Sequence, residues 1–256
     1  MMVWSLESEG DTPVKVTVPS QISLLDDLGS RLDSGQGFAV ATINLDHVTK
    51  LRHDAAFREA YGRQSHVTAD GNPIVWLERL SGHGDVELTT GSDLILPLAE
   101  LAARKQRKVA LFGSTEASLS AAKAALEQHV EGLDIALTLS PPMGFDPDGP
   151  DAHDAIRRIG ESGAALVFLA LGAPKQERFA ALAASSLPNV GFVSIGAGLD
   201  FLSGRQTRAP KWMRNCNLEW LWRLGTDPRR MTGRYAAGAA LLPGLTVRAL
   251  KARSKV

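Results

Sequence analysis

The chain has 256 residues, a formal net charge of zero and a single cysteine, Cys216. This length supplies one large or two small domains with a core of their own. Balanced charge argues against a chain that binds nucleic acid along its whole surface, and one cysteine excludes an internal disulfide framework and fits a reducing compartment. Residues 1–12 carry Glu7, Glu9 and Asp11, without the basic start and apolar run of a signal peptide, and no stretch offers the roughly 18 apolar residues that cross a bilayer. Work at a membrane would then be peripheral.

In chain order, the apolar and β-branched run 38–44 predicts a buried strand, with Asn44 and Asp46 just beyond it. A helix is expected over 49–61, then a strand over 66–69 that ends in the Asp70-Gly71 turn. Pro73 can open the next helix, because its missing N–H is unneeded in a first turn. Residues 94–104 read as a helix capped by Ser92 or Asp93. A strand over 108–113 runs into Ser114-Thr115, followed by an Ala-rich helix to about residue 130 and a strand over 133–139. The loop 141–150 holds four prolines. A helix over 151–161 precedes the most apolar strand, 165–171, which suits the middle of a parallel sheet. Gly172-Ala173-Pro174 turns into a helix that ends before Pro188, and 190–195 is the last strand.

Strands alternating with helices predict an α/β fold: a mainly parallel, Rossmann-like sheet flanked by helices. Residues 1–204 form this domain, with a subdivision near 106 left open. Residues 205–256 change character. They carry twelve Lys or Arg against Glu219 and Asp227, interleaved with Trp212, Trp220, Trp222 and Tyr235. This reads as a basic helical C-terminal appendage that suits an anionic membrane surface or phosphate. Single-stranded nucleic acid could use the same side chains, but would leave the polar strand ends without a purpose. A solvated helical surface, with the tryptophans packed inward, is the plainer alternative.

Ligands of parallel sheets bind at the carboxyl ends of the strands. Four segments therefore matter. At 42–46, Thr42 and Asn44 are polar groups at a strand end. Asp70 is ionised near neutrality and could take a proton from an attacking hydroxyl, although a turn aspartate before Gly is the commoner role. Gly113 opens a short turn into a helix, a natural though nonspecific phosphate seat. In 172–177, Lys175 and Gln176 could address a phosphate or sugar hydroxyl, while Glu177 is best read as complementing its own helix dipole. Asp146-Pro147-Asp148 looks like a metal-binding D-x-D, but falls in the Pro-rich loop rather than at a strand end. No Walker A, G-x-G-x-x-G, H-E-x-x-H or G-x-S-x-G pattern is present at the expected places.

Taken in order, Thr42-Ile43-Asn44, Ala69-Asp70-Gly71-Asn72-Pro73, Leu111-Phe112-Gly113, Pro141-Pro142-Met143-Gly144-Phe145, Gly172-Ala173-Pro174-Lys175-Gln176-Glu177 and the C-terminal Arg208-Ala209-Pro210, Leu218-Glu219-Trp220-Leu221, Pro228-Arg229-Arg230 and Arg234-Tyr235 resemble the WecG/TagA/CpsF family of glycosyltransferases. The likeness runs from about Phe38 to Tyr235. It implies an inverting, metal-independent enzyme without a cofactor. The donor would be a UDP-sugar, and the acceptor a polyprenyl-diphosphate-linked sugar of cell-surface polysaccharide synthesis. The protein would act in the cytoplasm, peripherally at the inner face of the membrane, with no nucleic acid partner and homo-oligomerisation open. Asp70 would be the base. Thr42, Asn44, Gly113 and Gln176 would bind substrate, and Arg223 and Arg230 would hold the diphosphate. Leu88 stands where members often carry an arginine, and Gly233 where another falls. The departure at Leu88 points toward a donor other than the N-acetylmannosamine type; a glucosyltransferase of exopolysaccharide assembly and a non-catalytic nucleotide-sugar-binding subunit are the alternatives.

Overall fold

Six short apolar runs form the sheet of the computed structural model, which describes residues 1–5, 12–202, 204, 209–210, 213 and 218–254, without the side chains of residues 219, 223 and 230. They are β1 (Phe38–Ile43), β2 (His66–Ala69), β3 (Val109–Gly113), β4 (Ile135–Leu139), β5 (Leu166–Ala170) and β6 (Gly191–Ser194). Every pairing is parallel, in the order β2-β1-β6-β5-β3-β4. The strand expected to be central, β5, lies between β6 and β3. Burial on both faces explains its unbroken apolar run.

Side chains alternate between two helical layers, as the period of two demands. Val109, Leu111, Leu166 and Phe168 pack under α1 (Gln21–Ser34), α5 (Gly91–Arg104), α6 (Glu116–His129) and α9 (Gly198–Leu202). Ala110, Phe112, Val167 and Leu169 face α7 (Pro150–Ser162) and α8 (Lys175–Ser186). A third cluster surrounds the β1–β2 end with α2 (Leu45–Leu51), α3 (Ala55–Gly62) and α4 (Asn72–Leu80). Residues 12–18 run along the outer side of β2, where Thr17 N donates to Val67 O at 2.9 Å, covering an otherwise unpaired edge.

Three local expectations change. The helix expected over 49–61 is two helices, because Asp54 accepts from Phe57 N at 2.9 Å and starts α3 anew. The helix α1 has no counterpart among the predicted elements. The cap of α5 is Thr90, whose Oγ1 accepts from Asp93 N at 3.2 Å, rather than Ser92 or Asp93. Thr90→Ala should therefore cost about 1 kcal/mol in urea unfolding, and Ser92→Ala much less.

The basic segment is helical, as α10 (Glu219–Thr226) and α11 (Pro228–Arg253). Its last turns join the main body. Leu245 and Ala249 are fully buried in the cluster that also holds Met2 and Trp4, and Arg248 Nη2 donates to Val3 O at 2.7 Å. The buried carboxylate of Glu78 in α4 is satisfied by Trp4 Nε1 at 2.8 Å and Met2 N at 3.0 Å.

Candidate active site

Chain connections diverge at the carboxyl edge of the sheet. From β3 the chain passes to β4, and from β5 to β6 on the other side, although β3 and β5 are neighbours. Such a switch point leaves a crevice between strand ends. Asn44, Asp70, Gly113, Gln176 and Gly196 all lie along this edge.

Asp70 follows β2 directly, and its backbone N–H donates to Ile43 O at 2.8 Å, which holds it against the end of β1. Gly71, at φ +95°, then turns the chain into α4, a conformation that favours glycine. Asn44 works with both ends of its amide. Its Oδ1 accepts from His47 N at 3.0 Å and caps α2, while its Nδ2 donates to Asp70 Oδ2 at 3.2 Å. A donor fixed by a helix cap thus orients the carboxylate. Thr42 is buried two positions earlier, and its carbonyl accepts from Tyr61 Oη at 3.1 Å. Since that carbonyl can only accept, the 2.7 Å contact between Tyr61 Oη and His47 Nδ1 has the imidazole as donor. Burial holds His47 neutral, with its pKa pushed down to about 3. Burial also pushes the Tyr61 phenol well above its ordinary value, with the charges of Glu177 and Asp70 adding to it.

Around β5 and β6 the polar groups are committed to one another. Gln176 is buried. Its Oε1 accepts from Gly196 N at 3.1 Å, and its Nε2 donates to Glu177 Oε1 at 2.8 Å. It brackets the start of α8 to the turn after β6. Glu177 sits in the first turn of α8 as expected from the dipole, but fully buried, with Oε2 unpartnered among the described residues. Burial raises its pKa from 4.5 to about 7, against the lowering effect of the Gln176 hydrogen bond. Lys175 Nζ donates to Phe145 O at 2.7 Å. It thereby tethers the Pro-rich loop, whose Phe145 ring packs 5.5 Å from that of Phe112.

Gly113 is required by sterics: a Cβ there would meet the Ala170 carbonyl at 2.5 Å, at φ +117°. Its strand is four places from β2 in the sheet, about 19 Å at ordinary strand spacing. Gly113 therefore lies on the same edge as Asp70 but far from it. Beside it, Ser114 Oγ donates to Asp200 Oδ1 at 2.8 Å.

Pattern reading missed one cluster. Asp46 Oδ2 accepts from Lys50 Nζ at 2.7 Å and from Arg234 Nη2 at 2.8 Å, and Lys50 Nζ also donates to Ala173 O at 3.1 Å. Burial of Asp46 works against its ionisation, but hydrogen bonds from Arg234 and Lys50 outweigh it and hold the carboxyl below its ordinary range. The Asp46–Lys50 spacing of four residues was a visible helical signal. The contact to Arg234, 188 residues away, was not.

The remaining expected residues sort as follows. Arg223 and Arg230 fall on α10 and α11, but their side chains lie outside the described residues. Asp148 of the D-x-D pairs with Arg178, and Asp146 Oδ1 accepts from Asp148 N at 3.2 Å. Among the described residues no group of three or more His, Cys, Asp or Glu is arranged to hold a metal ion. Leu88 is 42 % exposed on the segment beside β2, where Thr89 N donates to Ala69 O at 2.8 Å. A hollow of about 370 Å³ lined by Leu32, Arg107, Gly163 and Pro188 opens at the amino ends of the strands, away from Asp70.

A parallel sheet with an oriented carboxylate at its carboxyl edge suits an enzyme, and comparison with known proteins says which kind. The model of the Glycosyl transferase WecG/TagA/CpsF family matches residues 12–255, so the chain belongs to that family of glycosyltransferases. Two relatives are named N-acetylglucosaminyldiphosphoundecaprenol N-acetyl-beta-D-mannosaminyltransferase. The protein of Bacillus subtilis (strain 168) is 25% identical over 201 residues, covering 78% of this chain and 75% of its own. That of Bacillus spizizenii (strain ATCC 23059 / NRRL B-14472 / W23) is 26% identical over the same coverage.

Proposed function

We propose that this glycosyltransferase moves a sugar from a UDP-sugar to a sugar carried on polyprenyl diphosphate, with inversion, in cell-surface polysaccharide synthesis. The observation that carries it is the Asn44–Asp70 pair, a carboxylate aimed by a capped amide at the edge of the crevice. Asp70 removes the proton of the acceptor hydroxyl as its oxygen attacks the anomeric carbon. The bond to UDP breaks on the opposite side, so a single displacement inverts the centre. Arg223 and Arg230 hold the diphosphate and stabilise the charge it gains, in place of a metal ion. The acceptor follows from the relatives' names.

The membrane surface enters through α10. Trp220 and Leu221 are 50% and 45% exposed in a segment rich in Lys and Arg, which suits the headgroup level of an anionic inner leaflet. Trp220 also packs edge-on against Tyr235, with centroids 6.2 Å apart. No described helix is long and apolar enough to cross a membrane. Leu88, apolar at the rim where an arginine is usual, favours a donor other than UDP-N-acetylmannosamine.

A panel of UDP-sugars offered with N-acetylglucosaminyl-diphosphoundecaprenol in anionic vesicles tests this. Transfer from one UDP-sugar with inverted product stereochemistry is the expected result. Transfer only from a lipid-phosphate donor, or retention at the anomeric carbon, would sink the mechanism. A strong preference for UDP-N-acetylmannosamine would remove the significance given to Leu88.

A further inference from the structure

We infer that Asp46 is a positioning residue for transfer: with Arg234 it forms a latch that sets the first turns of α11 against α2 at the edge of the active site. Asp46 stands two residues after Asn44, in the first turn of the helix that Asn44 caps. Its Oδ2 receives two cations, Lys50 at 2.7 Å and Arg234 at 2.8 Å. The carboxylate is largely sheltered, its side chain 17% exposed, so added salt screens the pair less than a fully exposed one. Through Lys50 the same group reaches the Ala173 carbonyl. One carboxylate thereby ties together α2, the β5–α8 loop and α11. Removing it would leave Lys50 and Arg234 as adjacent like charges.

A second feature supports this placement. Gly238, one turn beyond Arg234, approaches α2 so closely that a Cβ there would lie 3.3 Å from Leu45 Cβ. Further along, Leu245 and Ala249 are anchored in the core. The far half of α11 is thus held by apolar packing, whereas the near half is tied to α2 by the Arg234–Asp46 ion pair. That near half carries Arg230, so the inference rests on the diphosphate role proposed above. A shift of about one ångström in such a clamp is enough to cost a large factor in rate.

Arg234→Glu in the full-length protein tests it, with transfer to the lipid-linked acceptor and hydrogen exchange as readouts. The rate constant for transfer at saturating UDP-sugar should fall about tenfold or more. Exchange should quicken in residues 228–236 while 245–253 stay protected, and the melting temperature should hold. The double variant Asp46→Lys/Arg234→Glu restores an opposite-charge pair and should bring the rate back to within about threefold of wild type, a coupling that independent sites would not show. A wild-type rate in Arg234→Glu overturns the inference, whether or not exchange changes. So does a slow single variant that the double does not rescue. Arg230→Ala separates the two levels: a wild-type rate there removes the diphosphate role of Arg230, while the latch is still judged by the charge exchange.

Discussion

Asp70→Asn should lower turnover by about 100- to 10,000-fold while leaving affinity for the UDP-sugar close to wild type. The range is what positioned general bases contribute. Asparagine keeps the shape of the side chain, and its amide oxygen can still accept from Asn44 Nδ2, now 3.2 Å from the carboxylate. The backbone anchor from Asp70 N to Ile43 O is untouched. What disappears is the basic carboxylate oxygen that would take the acceptor's proton. An ordinary aspartate is a weak base, so its usefulness depends on being held at the right place, which the Asn44 cap accomplishes. Steady-state kinetics with donor binding measured separately decides the matter. A variant that turns over at the wild-type rate would show that Asp70 is a turn residue and that the proton leaves by another route.

Glu177→Gln should stabilise the protein at pH 8 and change it little near pH 5. The wild-type carboxyl is fully buried in the first turn of α8 and has a pKa near 7 in the fold, against 4.5 in its ordinary state. Between these values the folded chain binds a proton that the unfolded chain has released. Stability therefore falls as pH rises from about 4.5 to about 7, and is lower by roughly 3 kcal/mol above that window. The groups around it shape this shift. Gln176 donates to Oε1, Lys50 favours the anion, Asp46 opposes it, and Tyr61 lies near enough to feel its charge. Glutamine cannot ionise, so its advantage should open only as pH climbs. Urea unfolding of both proteins at pH 5 and pH 8 measures this. Parallel pH dependence in the two would show that Glu177 is not the titrating group.

Much of the fold was readable because its strands are short, apolar and bounded by turns. The run 165–171 announced a central strand, and Asp70-Gly71 marked the end of β2 to the residue. The helix α1 was missed, although Ser20 as cap and Leu24, Leu28 and Leu32 on one face are a helical signal. Asn44 and Asp70 could each be placed at a strand end from sequence, but not the pairing of those strands or their hydrogen bond. Gln176 reads as a ligand because it is polar and follows a strand; the bonds from its amide to Glu177 and Gly196 could not be read from sequence. Glu177 reads from sequence as an acid that complements its own helix dipole. Only the packing of α3 and α8 reveals that it is fully buried. Partners separated by most of the chain, such as Asp46 and Arg234, leave no periodic trace.

The joining of Met2 and Trp4 with Leu245 and Ala249 in one cluster bears on how the chain is made. Synthesis proceeds from the amino end, and the β3–β5 half of the sheet has all its strands and most of its covering helices once residue 202 has emerged. The β1–β2 half waits. Its apolar surface on α2 and α4 stays uncovered until residue 249 has left the ribosome. A nascent chain stalled in between would present that surface to chaperones, and Asp70, at the end of β2, would gain its final surroundings only after that point.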